Sequence, residues 1–110
     1  MYIPDRGDIV WLNFSPQSGH EQAGLRPALV ISPKVYNQKV GLALFCPITS
    51  SVKGYSFEVN IPADLNIKGV ILSDQVRSLD WKQRKARFEC RVGGTVMEEV
   101  TGKIAALIYT

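Results

Sequence analysis

Pro27-Ala28-Leu29-Val30-Ile31 and Leu42-Ala43-Leu44-Phe45-Cys46 decide the fold. Each is a short apolar run next to a proline, with no polar residue inside it. Such runs read as strands buried on both faces, and therefore central in a sheet. Working outward, Ile9-Val10-Trp11-Leu12 with Phe14 forms a first strand before a long polar loop at residues 15–25. Pro33 to Lys39 can close a short helical turn between the two central strands. Phe57 to Ile61 alternates and predicts a strand with one wet face. Val70-Ile71-Leu72 and Val76 to Leu79 predict two short strands or one bent one. Ala86 to Val92 alternates again, with Phe88, Cys90 and Val92 inward and Arg87, Glu89 and Arg91 outward. Glycine and proline punctuate these runs throughout, which is an all-β signature rather than a βαβ alternation. After Gly93-Gly94, Thr95 and Glu98 match a capping box. Met97, Val100, Ile104, Leu107 and Ile108 follow at helical spacing, a stripe read as core in preference to partner surface. The expected fold is mainly β with a C-terminal α-helix: a small, strongly curved barrel of six or seven strands.

At 110 residues the chain is the length of one domain, taken as 1–110. A hydrophobic fraction of 45% with 21% charged residues is ordinary globular composition and excludes a disordered or collagen-like chain. No apolar run approaches the ~20 residues of a membrane span, so no membrane partner is expected. The opening residues carry no apolar segment behind a basic one, so no secretory signal is expected. Cys46 and Cys90 form neither a disulfide framework nor a metal spacing. Reduced thiols and a cytoplasmic location follow as the expectation.

The net charge of +3 says little alone; its distribution says more. Lys82 to Arg91 holds five bases and one acid, with Trp81 and Phe88 set among them. Bases with interleaved aromatics suit a polyanion that offers bases to stack on, although a solvated strand-and-turn surface has the same composition. Chemistry is more sharply bounded. One histidine and two distant cysteines cannot build a zinc site, and no carboxylate cluster has magnesium or manganese spacing, so no metal and no cofactor are expected. No G-x-S-x-G, P-loop or G-x-G-x-x-G occurs.

What remains is Gly19-His20-Glu21-Gln22-Ala23-Gly24-Leu25-Arg26-Pro27, which enters a buried strand. Pro27 holds the chain extended and sets Arg26 at the mouth of the expected barrel. There the planar guanidinium can grip a phosphate, or pair with Glu21 to pin the loop. Thr49 ends the third strand and opens a second loop carrying Lys53. Its hydroxyl can bond a phosphate oxygen or simply serve a turn.

These segments resemble a known family. Gly7-Asp8-Ile9-Val10-Trp11, the Gly19–Pro27 stretch with its E-Q-x-G-x-R-P motif, Val30-Ile31-Ser32-Pro33, Cys46-Pro47-Ile48-Thr49-Ser50, Lys53-Gly54-Tyr55 and Ser73-Asp74-Gln75-Val76-Arg77-Ser78 look like the MazF/PemK (Kid) toxins, in order along nearly the whole chain. The resemblance implies an SH3-like, CcdB/MazF-like curved barrel acting as a cytoplasmic homodimer. It implies a toxin of a toxin–antitoxin pair that cleaves single-stranded mRNA at short sequences without a metal. A cognate antitoxin with an acidic, disorder-prone tail would block the site, and DNA would be met only through the antitoxin complex. The MazF-type catalytic pair falls on Arg26 and Thr49. The Kid-type acid/base set would use His20, Asp74 and an arginine, but that arginine position is Leu72 here. His20 and Asp74 are therefore assigned to substrate contact, together with Glu21, Gln22, Lys53, Gln75 and Arg77.

The implied chemistry asks little of the protein, because RNA supplies its own nucleophile in the 2′-OH. The enzyme need only align that group and stabilise the phosphorane, giving a 2′,3′-cyclic phosphate and a 5′-hydroxyl. Two rivals share the charge pattern or the fold: a CcdB-like poison of DNA gyrase that cuts no nucleic acid, and a non-catalytic RNA-binding barrel using Lys82 to Arg91. A catalytic pair of Arg26 and Thr49 is what neither rival requires.

Overall fold

The computed structural model describes residues 1–15 and 22–109. Its elements are β1 (Asp8–Asn13), β2 (Leu25–Val30), α1 (Lys34–Val40), β3 (Leu42–Thr49), β4 (Glu58–Asn60), β5 (Val70–Leu72), β6 (Arg77–Asp80), β7 (Arg87–Arg91) and α2 (Gly94–Tyr109). Every recorded pairing is antiparallel. The sheet runs β4-β5-β3-β2-β1-β7, with β6 also paired to β3. This path does not return on itself, so the expected curved barrel is an open one.

β3 makes this arrangement possible by changing partner along one edge. Leu42 to Phe45 pair with β6, whereas Ile48 and Thr49 pair with β5. The apolar run read as this strand stops at Cys46, and the strand continues through Pro47 to Thr49, the residue expected to end it. Ile31 donates its backbone N–H to the Leu44 carbonyl at 2.8 Å, so by alternation Cys46 turns its donor toward β2 and Pro47 faces the opposite edge. That edge is where the β6 ladder has stopped and the β5 ladder has not begun. A proline, lacking the N–H, fits such a gap without breaking a ladder.

The two central strands are covered on both faces, as their apolar runs predict. One face packs Ile9, Leu29, Cys46 and Ile48 with Val59, Ile71 and with Val96 and Val100 of α2. The other packs Val10, Leu12, Ala28, Val30 and Phe45 with Phe14, Leu79 and Trp81. α1 is clipped on through Asn37, which is fully buried. Its amide donates to the carbonyls of Pro4 (2.8 Å) and Ser32 (3.0 Å), while the Ser32 hydroxyl donates to Asn37 Oδ1 (2.5 Å). Trp81 Nε1 donates to the Asn37 carbonyl at 3.0 Å, and Leu44 donates its N–H to Ser32 Oγ at 2.9 Å. Gly41 ends α1 at φ +83, a left-handed cap that glycine adopts without strain.

Three local expectations differ from the structure. The β1–β7 register slips between Ile9 (opposite Cys90) and Val10 (opposite Phe88), so Glu89 is an extra residue. The bulge breaks the alternation: Phe88 is turned outward and half exposed, edge-on to Tyr2 at 5.8 Å, while Glu89 accepts a bond from Trp11 Nε1 at 3.0 Å. α2 begins at Gly94, which puts Thr95 inside its first turn and not at the cap. Its buried stripe is Val96 and Val100 with Met97 and Ile104; Leu107 and Ile108 are exposed.

Asn37 ties three separate segments together in a dry site, so its truncation strands several polar groups at once. Asn37→Ala is expected to cost about 2–3 kcal/mol and to lower Tm by roughly 8 °C or more. A melting curve superimposable on wild type would contradict this role.

Candidate active site

The β2–β3 register fixes the centre of the site. Ala28 lies opposite Pro47, Leu29 opposite Cys46 and Val30 opposite Phe45. Continued by two residues, the same register sets Arg26 level with Thr49. Because Ile31 and Leu44 are a hydrogen-bonded pair, Arg26 and Thr49 fall at a non-hydrogen-bonded position, where facing side chains come closest and share a face. Both side chains line one cleft of about 520 Å³, with Gln22, Ser51, Lys53, Tyr55, Phe57, Glu58, Leu72, Asp74 and Gln75.

Each wall is held from behind. Arg26 donates Nε to the Ala23 carbonyl at 2.8 Å, which orients the guanidinium, and among the described residues its terminal N–H groups make no other hydrogen bond. Thr49 Oγ1 accepts the Ser51 N–H at 3.1 Å, so its own proton remains available to donate. The Glu58 carboxylate accepts the N–H groups of Lys53 (3.2 Å) and Gly54 (3.0 Å), shaping the β3–β4 loop. From α2, Lys103 Nζ donates to the carbonyls of Ser56 and Glu58, the latter at 3.2 Å. Ser73 Oγ donates to the Phe57 carbonyl. Gln75 Oε1 accepts the Gln22 N–H at 3.3 Å, joining the β1–β2 loop to the β5–β6 turn.

The electrostatics are mixed. Arg26 and Lys53 face the carboxylates of Glu58 and Asp74. Burial raises the Asp74 pKa above its ordinary value and the Glu58 charge adds to this, against a backbone hydrogen bond that lowers it. Beneath the floor, burial and the Asp74 charge push the Cys46 thiol up to about 12. At neutral pH that sulfur is a protonated, packed group, not a nucleophile.

Of the residues expected from sequence, Gln22, Arg26, Thr49, Lys53, Asp74 and Gln75 meet in this cleft. His20 and Glu21 lie outside the described residues. Arg77 is turned to other work: Nη1 donates to the Phe14 carbonyl at 3.2 Å and the guanidinium sits 5.7 Å above the Phe14 ring. The basic stretch is elsewhere too. Arg84 donates to the carbonyls of Asn13 and Ser15, and Arg91 pairs with Asp8 at 2.6 Å. Residues not singled out from sequence include Ser51, Phe57 and Glu58, and the supports Ser73 and Lys103. Tyr55, quoted only within a motif, is exposed beside Phe57 with ring centroids 5.3 Å apart.

With this geometry in hand, the chain can be set against known proteins. Residues 5–108 match the family described as the PemK-like, MazF-like toxin of type II toxin–antitoxin systems. The chain belongs to that family. It is 44% identical over 107 residues to the endoribonuclease toxin MazF of Escherichia coli (strain K12), covering 97% of this chain and 96% of that one. It is 32% identical over 108 residues to the Escherichia coli endoribonuclease PemK, covering 94% and 81%. The crystal structure of MazF from Deinococcus radiodurans superposes with a TM-score of 0.96 at 52% identity over the full length of both chains. A MazE–MazF structure from the same organism superposes at 0.90, again at 52% identity, covering 100% and 99%. These relatives favour the ribonuclease reading over the gyrase-poison one.

Within this PemK/MazF-like site, Leu72 stands where the Kid-type pattern has an arginine, and it lines the cleft as an apolar wall. A glycine overlooked in the sequence supports the site from below. Gly69 has φ +118, and a Cβ there would lie 2.1 Å from the Thr49 carbonyl oxygen and 2.8 Å from its carbon. Only a residue without a side chain lets the β4–β5 loop press against the backbone of Thr49.

Two outcomes follow from this geometry. Gly69→Ala drives Cβ into backbone and is expected to cost about 3 kcal/mol or more, with loss of cleavage by the folded fraction. Gly54→Ala also has a left-handed φ (+80) but meets nothing within 4 Å, and should cost only about 1–2 kcal/mol. Equal melting temperatures for the two variants would refute the Thr49 contact. Separately, iodoacetamide at pH 8 should leave Cys46 unmodified in native protein and alkylate it after denaturation, as read by peptide mass.

Proposed function

We propose that this chain is a metal-independent endoribonuclease toxin that cleaves single-stranded RNA, mRNA in the cell, at the cleft between Arg26 and Thr49. The observation that carries the reading is the cross-strand pairing of a half-engaged guanidinium with a hydroxyl free to donate, in a cleft walled by Lys53, Asp74, Gln75 and Gln22. Family membership and the ribonuclease names of relatives support it.

In the proposed step the substrate's 2′-oxygen attacks the adjacent phosphorus and passes its proton to solvent water. The P–O5′ bond breaks, the 5′-oxygen takes a proton from water, and a 2′,3′-cyclic phosphate remains. Negative charge grows on the non-bridging oxygens of the phosphorane. Arg26 neutralises it with terminal N–H groups, and Thr49 donates to the same oxygens. A guanidinium is too weak an acid to shuttle protons readily, so Arg26 acts by charge and geometry. Asp74, its pKa raised by burial, contacts substrate from the facing turn, and Lys53 follows the backbone. His20 and Glu21 are kept as substrate contacts on the motif alone. The exposed ring of Tyr55, with the half-buried ring of Phe57 beside it, offers stacking to unpaired bases.

Neutralisation is assigned to a cognate antitoxin with an acidic segment that occupies the same cleft; the MazE–MazF structures of relatives support the antitoxin partner. A homodimer is the proposed assembly. The apolar end of α2, where Leu107, Ile108 and Tyr109 are exposed, supports self-association.

Cleavage of a mixed RNA should persist in excess EDTA and should fail on a substrate carrying a 2′-deoxy nucleotide at the cut site. Arg26→Ala should fold normally and lose roughly 10²–10³ in kcat, about 2.7–4 kcal/mol. Activity that vanishes with chelator and returns with Mg²⁺ would sink the 2′-OH mechanism. An unfolded Arg26→Ala whose folded fraction still cleaves would make Arg26 a structural residue.

A further inference from the structure

A second cavity of about 290 Å³ lies behind Arg26, lined by Trp11, Leu25, Arg26, Pro27, Ile48, Ser50, Asn66, Ile67 and Lys68. We propose that this cavity is a nucleobase subsite: it takes the base next to the scissile phosphate, stacking it beside Trp11 and reading its edge with the Asn66 amide. The proposal rests on the ribonuclease reading above and extends it to base selection.

The sheet register builds the floor. Trp11 lies opposite Pro27 in the β1–β2 ladder, and the β2–β3 register continued by one residue sets Pro27 level with Ile48. Three apolar side chains thus form one row across three strands. This row faces the side of the sheet opposite to Arg26 and Thr49 at their Cβ atoms, yet the long Arg26 side chain borders both cavities. Because Arg26 borders both cavities, a polymer whose phosphate rests on its guanidinium can carry a neighbouring nucleotide round into the second one. A separate small molecule offers no such continuity.

The walls suit a base better than an aliphatic anchor. Trp11 packs partly on the core, and its Nε1 is fixed by Glu89 Oε1 at 3.0 Å, so the indole is a rigid surface. Aromatic faces stack any base. Asn66 sits on the β4–β5 loop, which is held by Lys68 Nζ bonds to the carbonyls of Ala63 (3.0 Å) and Leu65 (3.1 Å) and by the close approach of Gly69 to Thr49. Among the described residues the Asn66 amide makes no hydrogen bond. A side-chain amide on a fixed loop, with donor and acceptor both free, is the group that distinguishes one base edge from another. One loop therefore supports Thr49 and presents Asn66, which couples the position of the cut to the identity of the flanking base.

The test is cleavage of a randomised RNA library in EDTA, with the ends sequenced, by wild type, Asn66→Ala, Trp11→Leu and Trp11→Phe. Asn66→Ala should relax base preference at one position beside the cut by about tenfold, within the range of one lost edge contact, and leave the preferences at other positions as in wild type. Trp11→Leu should lower kcat/KM by about fivefold or more through KM, and Trp11→Phe, which keeps an aromatic face, should recover most of it. Unchanged preferences in Asn66→Ala, or equal relaxation at every position, would overturn the subsite. So would an Asn66→Ala variant that keeps wild-type preferences but loses inhibition by an acidic antitoxin peptide, which would make the cavity a peptide anchor. A wild-type protein that cuts nothing in this assay refutes the ribonuclease reading itself, whereas a wild type that cuts beside an unaltered Asn66→Ala removes only the subsite.

Discussion

Everything in this fold depends on β3 serving two neighbours along one edge. A strand has one row of donors and acceptors on each side, so sharing an edge between β6 and β5 requires a place where the row lapses. Pro47 supplies that lapse in the middle of a buried strand. Upstream of it, Ala43 and Phe45 pack toward Phe14 and Trp81 while Leu44 and Cys46 pack on the other face; downstream, β3 carries β5 and, through it, β4. The sheet stays open, its path running from β4 to β7 without closing.

The active-site pairing is a product of that same strand. Arg26 and Thr49 are 23 residues apart in sequence, and neither carries a local signal strong enough to announce the other. They meet because the register that buries Ala28, Val30 and Phe45 on one face must set Arg26 and Thr49 together two residues on. A slip of one residue would send the apolar set to the wrong face, so the packing of the core enforces the geometry of the cleft. Catalytic placement needs no dedicated scaffold here beyond ladder register, a glycine at position 69, and a few carbonyl-directed clips.

What was legible in the sequence divides along physical lines. Apolar runs and alternation located α2 and the strand segments, with β5 and β6 left as two strands or one bent one, since burial on a sheet has a period that composition displays. They failed where the backbone departs from that period. The bulge at Glu89 reverses Phe88, and the two-sided gap at Pro47 lets a strand pass through a residue that usually ends one. At the end of α2, Leu107 and Ile108 keep the spacing of a core stripe but are exposed among the described residues. Within the cleft, motif resemblance named the groups that face the ligand. It was silent on Glu58 and Lys103 and gave Ser73 no role, because a residue that accepts or donates to a nearby backbone has no signature in a single sequence.

Charge was the least faithful guide, and the structure explains why. An arginine carries five donors, and backbone carbonyls at loop ends and strand edges compete for them with any ligand. Arg84 spends its side chain on Asn13 and Ser15, Arg77 on Phe14, Arg6 on Ile31, and Arg91 on Asp8. The densest basic stretch, Lys82 to Arg91, therefore does structural work in part and contributes none of its residues to the main cleft. Among the described residues Arg26 and Arg6 each make one bond, from Nε to a carbonyl, and of the two it is Arg26 that lines the cleft with its terminal nitrogens unspent. Counting cations along a chain locates where positive potential is found. Which of them can grip a phosphate is decided by unspent donors, and that follows from the partners each guanidinium acquires when the loops close.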